Sequence, residues 1–253
     1  MIIPGLVSAT FKTESPDFVL AALKKADLHA VEWSENWHIP AGDTALARDL
    51  RERTLAQGAE IAAYGSYYRL GQNSNPAKDF MPTLQSAAAL GAPLIRIWGG
   101  GTASAELDAD TRRELAVEAR IVSDMAASEG IKVALEWHKN TVTDTNESGL
   151  SFLGEAAADN LYCLWQPTVA LNMDERCAGL DMLEAVCSTC MSTTGWKASA
   201  ARLRKVLTNG GGTYSMSTAT KNATVCWNLC WTTPRSSFWK TPLNGSGFCR
   251  KRR

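Results

Sequence analysis

Between residues 3 and 166 six short apolar runs alternate with five stretches of helical character, with no hairpin signal between successive runs. The runs are IPGLVSATF (3–11), HAVEW (29–33), AEIAAYGS (59–66), PLIRIW (93–98), IKVALEW (131–137) and LYCLWQ (161–166). Helices are expected from Ser15-Pro16-Asp17 onward and over 43–57, 77–90, 108–129 and 148–158. Proline suits a first helical turn, and Gly58, Gly91 and Gly130 supply stops. In the helix over 108–129, Leu115, Ala119, Val122 and Met125 recur at helical spacing. Strands that alternate with helices in this way form a parallel sheet covered by helices.

Two α/β architectures compete. A doubly wound sheet carries a glycine-rich phosphate loop after its first strand, where this chain has VSATFKTES. Gly99-Gly100-Gly101 follows the fourth run but lacks the GxGxxG spacing. The length, 253 residues, instead fits a (β/α)8 TIM barrel. Its first six units occupy 1–180, and units seven and eight are expected in 181–253. No strand–helix pattern is visible there, so the expectation is a barrel disrupted over units 7–8, with open sheet edges and either poor solubility or a rearranged C-terminal part.

In a barrel, chemistry sits at the C-terminal ends of the strands. The residues there are Glu32, Trp33 and His38, then Tyr67, Tyr68 and Arg69, then Arg96 and Trp98, then Glu136 and His138, and finally Gln166. A carboxylate in that position can hold a divalent metal or take a proton from carbon beside a carbonyl. Histidine can ligate the metal or shuttle the proton, and arginine can hold an anionic oxygen. Tryptophans at the mouth offer flat faces to sugar rings. Each has a plainer reading: Trp33, Trp98, Trp137 and Trp165 as barrel packing, Arg96 as a satisfied interior ion pair, His29 as structural. Glu136 is the sharpest residue, because a carboxylate inside the apolar run VALEWH is costly unless something uses it.

AVEWSENWHIPAGD, LIRIWGGG, ALEWHKNTVTDT and LWQPT resemble the sugar phosphate isomerase/epimerase family, the xylose isomerase-like TIM barrels, over about residues 1–180. The resemblance implies interconversion of sugars or sugar phosphates by proton transfer through an enediolate, with a divalent metal (Mn, Mg, Co or Zn) at the barrel mouth. It also implies metal ligands: a Glu on strand five, an Asp on strand six, a His on strand seven and a Glu on strand eight. Glu136 matches the first, and Gln166 stands near the second as a weaker donor. No histidine follows His138 and no acidic residue follows Glu184, so the other two have no counterpart. On this reading Glu136, His138 and His38 are catalytic, Glu32, Trp33, Arg96 and Trp98 contact substrate, and Glu136 and Gln166 face the metal.

Charge singles out the tail. Residues 1–180 carry 24 of the 26 acidic and 15 of the 26 basic residues, a net of −9, whereas 181–253 is net +9. The tail also holds five of the seven cysteines, 11 threonines, 8 serines and four of the nine tryptophans. Read one base earlier, its codons combine the wobble base of one residue with the first two bases of the next, which restricts the outcome. Trp227–Asn228 forces Glu, Cys230–Trp231 Leu, Trp231–Thr232 Asp, Phe238–Trp239 Leu and Trp239–Lys240 Glu. Permitted codons over 226–253 give LLEFVLDNTPEQFLEDAAEWLRVLQEA, a strand and an N-capped amphipathic helix. Those over 188–197 give HLHVYHWLE, a strand with histidines, and those over 197–214 a further amphipathic helix. The tail is therefore expected to be a frameshifted remnant of units 7–8, displaced from near residue 180.

This reading makes Cys187-x2-Cys190 and Cys226-x3-Cys230 incidental rather than a zinc site, and the terminal RKRR incidental rather than a nucleic-acid patch. The expected partner is a small-molecule sugar, with neither nucleic acid nor membrane. MIIPGLVSATF lacks the marks of a signal peptide, so the expected location is cytoplasmic, without disulfides. Two rivals stand beside the isomerase: an endonuclease IV-like metal nuclease, disfavoured by the acidic first part, and a barrel-derived binding protein with a genuine basic tail.

Overall fold

In the computed structural model, which describes residues 2–166, 173–183, 185–192 and 227–231, all six expected strand–helix units form. The strands are β1 (Ile2–Val7), β2 (Ala30–Ser34), β3 (Glu60–Arg69), β4 (Leu94–Trp98), β5 (Lys132–Glu136) and β6 (Leu161–Trp165). The helices are α1 (Pro16–Lys25), α2 (Thr44–Ala56), α3 (Pro76–Leu90), α4 (Ala109–Ser128), α5 (Asn146–Ala156) and α6 (Met173–Leu183). Each of the first five helices starts where a side-chain oxygen in the βα loop caps it. Ser15 accepts from Phe18 N, Asp43 from Leu46 N, Asn75 from Lys78 N, Asp108 from Thr111 N and Thr145 from Ser148 N. Gly91 ends α3 in the left-handed conformation, at φ 70°.

Boundaries differ from expectation by more than two residues at two places. The first run stops being a strand at Val7, and Ser8–Phe11 turns as a 3-10 helix. β3 extends to Arg69 instead of stopping near Ser66, which carries Tyr67 and Arg69 to the barrel mouth.

β1 to β6 pair in order, all parallel, and β7 (Cys187–Ser192) continues the series beside β6. The expected open edges do not occur, because β8 (Trp227–Trp231) closes the barrel between β7 and β1. It pairs antiparallel with both, Ser192 opposite Trp227 and Ile2 opposite Trp231. The N–H and C=O groups of an edge strand are satisfied by an extended segment running either way. An antiparallel strand is not the product of a βα crossover, so among the described residues the eighth place in the sheet is filled without a parallel eighth strand. Residues 193–226 and 232–253, with the Cys226 and RKRR motifs, lie outside the described residues.

Alternate strand residues face opposite sides of the wall. Leu6, Val31, Trp33, Ile95, Val133 and Leu135 face the helices and pack with Leu23, Leu50, Phe80, Val122 and Phe152. Val7, Ala63, Leu94, Ala134 and Leu164 fill the interior, small side chains for a narrow space. Among the described residues, no helix is long and apolar enough to cross a membrane.

Candidate active site

Above the interior apolar layer lies a charged one. Glu32 on β2, Arg96 on β4 and Glu136 on β5 are 0%, 3% and 5% exposed. Arg96 donates through Nε to Glu32 Oε1 at 3.0 Å and through Nη1 to Glu136 Oε2 at 2.7 Å. The intervening strand β3 contributes Gly65 at this level. A Cβ there would overlap Glu32 Oε1 and stand 2.7 Å from Arg96 Nη2, so the ion pair occupies the space of the missing side chain. Burial alone would lower the Arg96 pKa, but the Glu32 and Glu136 carboxylates outweigh it and hold the guanidinium charged. For Glu136 burial wins: it raises the carboxyl above the usual range against the pull of Arg96, and Glu32 adds to the rise.

The mouth over this layer is aromatic. Trp98 stands directly across from Glu136 in the β4–β5 register. Its ring meets the His138 ring edge-on at 4.7 Å, the Tyr67 ring at 6.4 Å and the Arg69 guanidinium at 4.6 Å. Arg96 lies 5.9 Å below both Tyr67 and Trp98, and Trp37 Nε1 donates to the Tyr67 hydroxyl at 3.0 Å. The loop after β5 is fixed by Thr143, whose hydroxyl donates to the Glu136 carbonyl at 2.7 Å, and by Thr141, which donates to that of His138 at 2.6 Å. His138 Nδ1 donates to the Lys139 carbonyl at 2.8 Å. A carbonyl only accepts, so the neutral ring carries its proton on Nδ1 and presents the Nε2 lone pair.

The structure thus brings Glu32, Arg96, Trp98, Glu136 and His138 together. Gln166 belongs to the same end: Glu136 pairs with Leu164, and His138 and Gln166 follow two residues beyond on their strands. Trp33 and His38 are placed elsewhere. Trp33, next to the inward Glu32, must face outward; it is fully buried against α2 and donates to Thr54 Oγ1 at 3.2 Å. This corrects the expectation that Trp33 contacts substrate. His38 packs edge-on against Trp33, and its Nε2 donates to the Glu14 carbonyl at 3.2 Å.

Burial lowers the His38 pKa below its ordinary value of about 6.5. The unfolded chain therefore binds this proton first as pH falls, and stability declines from about pH 6.5 down to the depressed folded value. The melting temperature should fall between about pH 7.5 and pH 5, and His38→Gln should flatten part of that slope. An unchanged slope in the variant refutes the assignment.

Two further residues were not singled out from sequence. Glu118, on the apolar face of α4, is 7% exposed and accepts from the Tyr68 hydroxyl, Gly71 N and Asn73 Nδ2 at 2.7, 2.8 and 2.6 Å, which fixes the loop after β3. Its signal was an acid at the helical spacing of Leu115, Ala119 and Val122. Gly65 was legible as a glycine inside a strand, which marks a close approach.

A divalent ion needs several oxygen, nitrogen or sulfur donors converging on one point. Among the described residues no three His, Cys, Asp or Glu side chains converge in that way. Glu136 instead gives one oxygen to Arg96, and the β7 and β8 sequences, CSTCMS and WNLCW, contain no His, Asp or Glu. The described donor set does not fit the metal that the resemblance implies.

The matched sequence decides the lineage. A family model described as xylose isomerase-like TIM barrel matches residues 20–167, more than half of the chain. The chain belongs to this family. A 3-dehydroshikimate dehydratase of Bacillus anthracis is 37% identical over 67 residues, 26% of this xylose isomerase-like chain and 24% of that protein, so the match spans about a quarter of the relative. The solved structure of the probable 3-DHS dehydratase AsbF, involved in petrobactin synthesis in Bacillus anthracis, superposes with a TM-score of 0.64 at 18% identity, covering 74% of this chain and 71% of that one. That of D-psicose 3-epimerase, in the presence of D-fructose, gives 0.62 at 13% identity, covering 81% and 82%. At these identities the two structures share the fold.

Proposed function

We propose that the protein is an enzyme of the isomerase/epimerase type that removes a proton from carbon next to a carbonyl in a small polyhydroxylated substrate. The observation that carries this reading is Glu136: an interior carboxylate at the end of a parallel strand, steadied by Arg96 and lying beneath Trp98 and His138. Glu136 takes the proton. Arg96, which gives Nε and Nη1 to the two carboxylates, faces the oxygen that becomes anionic with its remaining Nη2 donors. His138 Nε2 accepts or returns a proton from the mouth side, and Glu32 holds Arg96 in place. Return of the proton to the same carbon from the other face gives an epimer, and return to the neighbouring carbon gives an isomer.

The partial identity to a 3-dehydroshikimate dehydratase favours a second reading with the same first step, in which the carbanion expels a neighbouring hydroxyl as water. The test is solvent deuterium incorporation next to the carbonyl, followed by NMR, with D-fructose, D-xylulose and 3-dehydroshikimate. At least one should exchange, and Glu136→Gln should slow exchange by about 10²–10⁴-fold. A dehydration product from the third compound supports the second reading; exchange in none, or full exchange in the variant, overturns both.

The displaced frame is part of this proposal. Residues 1–180 are the surviving first six units, and 181–253 encode strands seven and eight when one base is restored near codon 180. The divalent metal then belongs to the restored protein, whose strand seven permits histidine and whose Trp227–Asn228 position is forced to Glu. The cytoplasmic location belongs to the same proposal.

A further inference from the structure

We propose that the mouth holds an anionic group of the substrate, a carboxylate or a phosphate, on Arg69. The inference rests on the proton-transfer reading for what the site is, and on Arg69 for what it binds. Arg69 is half-buried at the end of β3, with its guanidinium 4.6 Å over the Trp98 ring. One of its five N–H donors is used, by Nη1 on the Gly100 carbonyl at 2.7 Å. Among the described residues it has no acidic partner, whereas Arg96 below it is already paired with two carboxylates.

The nearby acids point elsewhere. Glu35 accepts from Tyr67 N and Thr83 Oγ1, and Glu118 is spent on the loop after β3. A chain that is net −9 over its first 180 residues thus leaves a cation open at its barrel mouth. A second donor is in place: the Trp98 indole N–H is buried and has no partner among the described residues. Stacking on Trp98 fixes the plane of the guanidinium, which suits two-point binding of a carboxylate or phosphate. Trp98 is directly across from Glu136, so an anion on Arg69 sets a carbon a few bonds away over the base.

Titration calorimetry on the full chain tests this with three probes: shikimate for the carboxylate, D-xylulose 5-phosphate for the phosphate and D-xylulose as the neutral control. One anionic probe should bind at least about tenfold more tightly than the control, and Arg69→Met should remove that preference while Arg69→Lys keeps part of it. The preferred probe identifies the source of the anion. Equal affinity for all three probes, or a preference that survives Arg69→Met in a variant that still melts like the wild type, overturns the proposal. Because the readout is binding, the anion site stands even if deuterium exchange fails. Exchange on an anionic substrate that Arg69→Met leaves unaltered, in both rate and KM, removes the anion site and spares the proton-transfer reading.

Discussion

Arg96→Met should destabilise the fold by about 3–5 kcal/mol, the usual consequence of removing one partner from a buried ion pair. Here the consequence is doubled in kind. Glu32 and Glu136 are 0% and 5% exposed and both lean on the same guanidinium. Methionine fills much of the volume but leaves two facing carboxylates, which must take up protons or separate. Glu32→Gln with Glu136→Gln, added to Arg96→Met, removes that repulsion and should recover most of the loss, because a charged cluster replaced as a whole is often near neutral. The urea midpoint of the wild type and the two variants, at constant slope, reads this directly. A single variant within about 1 kcal/mol of wild type means that water or movement already relieves the layer, and the burial argument for Glu136 as a base falls with it. The same layer explains why β3 carries glycine at position 65, since even alanine would drive a methyl into Glu32 Oε1.

The first six units were legible because each signal is local. Ser15, Asp43, Asn75, Asp108 and Thr145 cap helices that start one residue later, and all lie in the loop that follows the strand end presenting the site. The charged layer was legible as a list but not as an object. Glu32, Arg96 and Glu136 are separated by 64 and 40 residues along the chain, and only barrel closure brings them together. Trp33 was misread for want of a parity argument: once Glu32 is taken as interior, its neighbour must face the helices. The reach of β3 to Arg69 could not be seen, because SYYR has neither the alternation nor the stop that would have told strand from loop. The direction of β8 is a tertiary outcome. WNLCW is apolar enough to pair, and nothing in five residues says which end meets Ser192.

Restoring one base near codon 180 should raise the melting temperature and sharpen the transition, and only the restored protein should melt higher still with Mn²⁺. The chain as written closes its barrel with a strand antiparallel to both neighbours, where a βα unit would place a parallel one. The forced residues of the earlier frame supply what is missing. Glu at Trp227–Asn228, Leu at Cys230–Trp231 and Asp at Trp231–Thr232 make a strand with a carboxylate, and the permitted Asn-Thr-Pro-Glu after it is a helix start. A parallel eighth strand with its own amphipathic helix buries an apolar face against the barrel wall, and each fully buried leucine or valine contributes about 1.5–3 kcal/mol. The metal response is the sharper arm. An ion at about a hundred times its dissociation constant stabilises a folded protein by about 2.7 kcal/mol, and it does so only where ligands converge. The written chain, with Arg96 on Glu136 and no His, Asp or Glu in β7 or β8, should show no such shift. If both proteins respond to Mn²⁺ alike, the ligands lie within the first six units and the displaced frame loses its chemical support. If neither responds and both melt together, the tail is genuine coding sequence and the antiparallel closure is the fold that this chain has settled on.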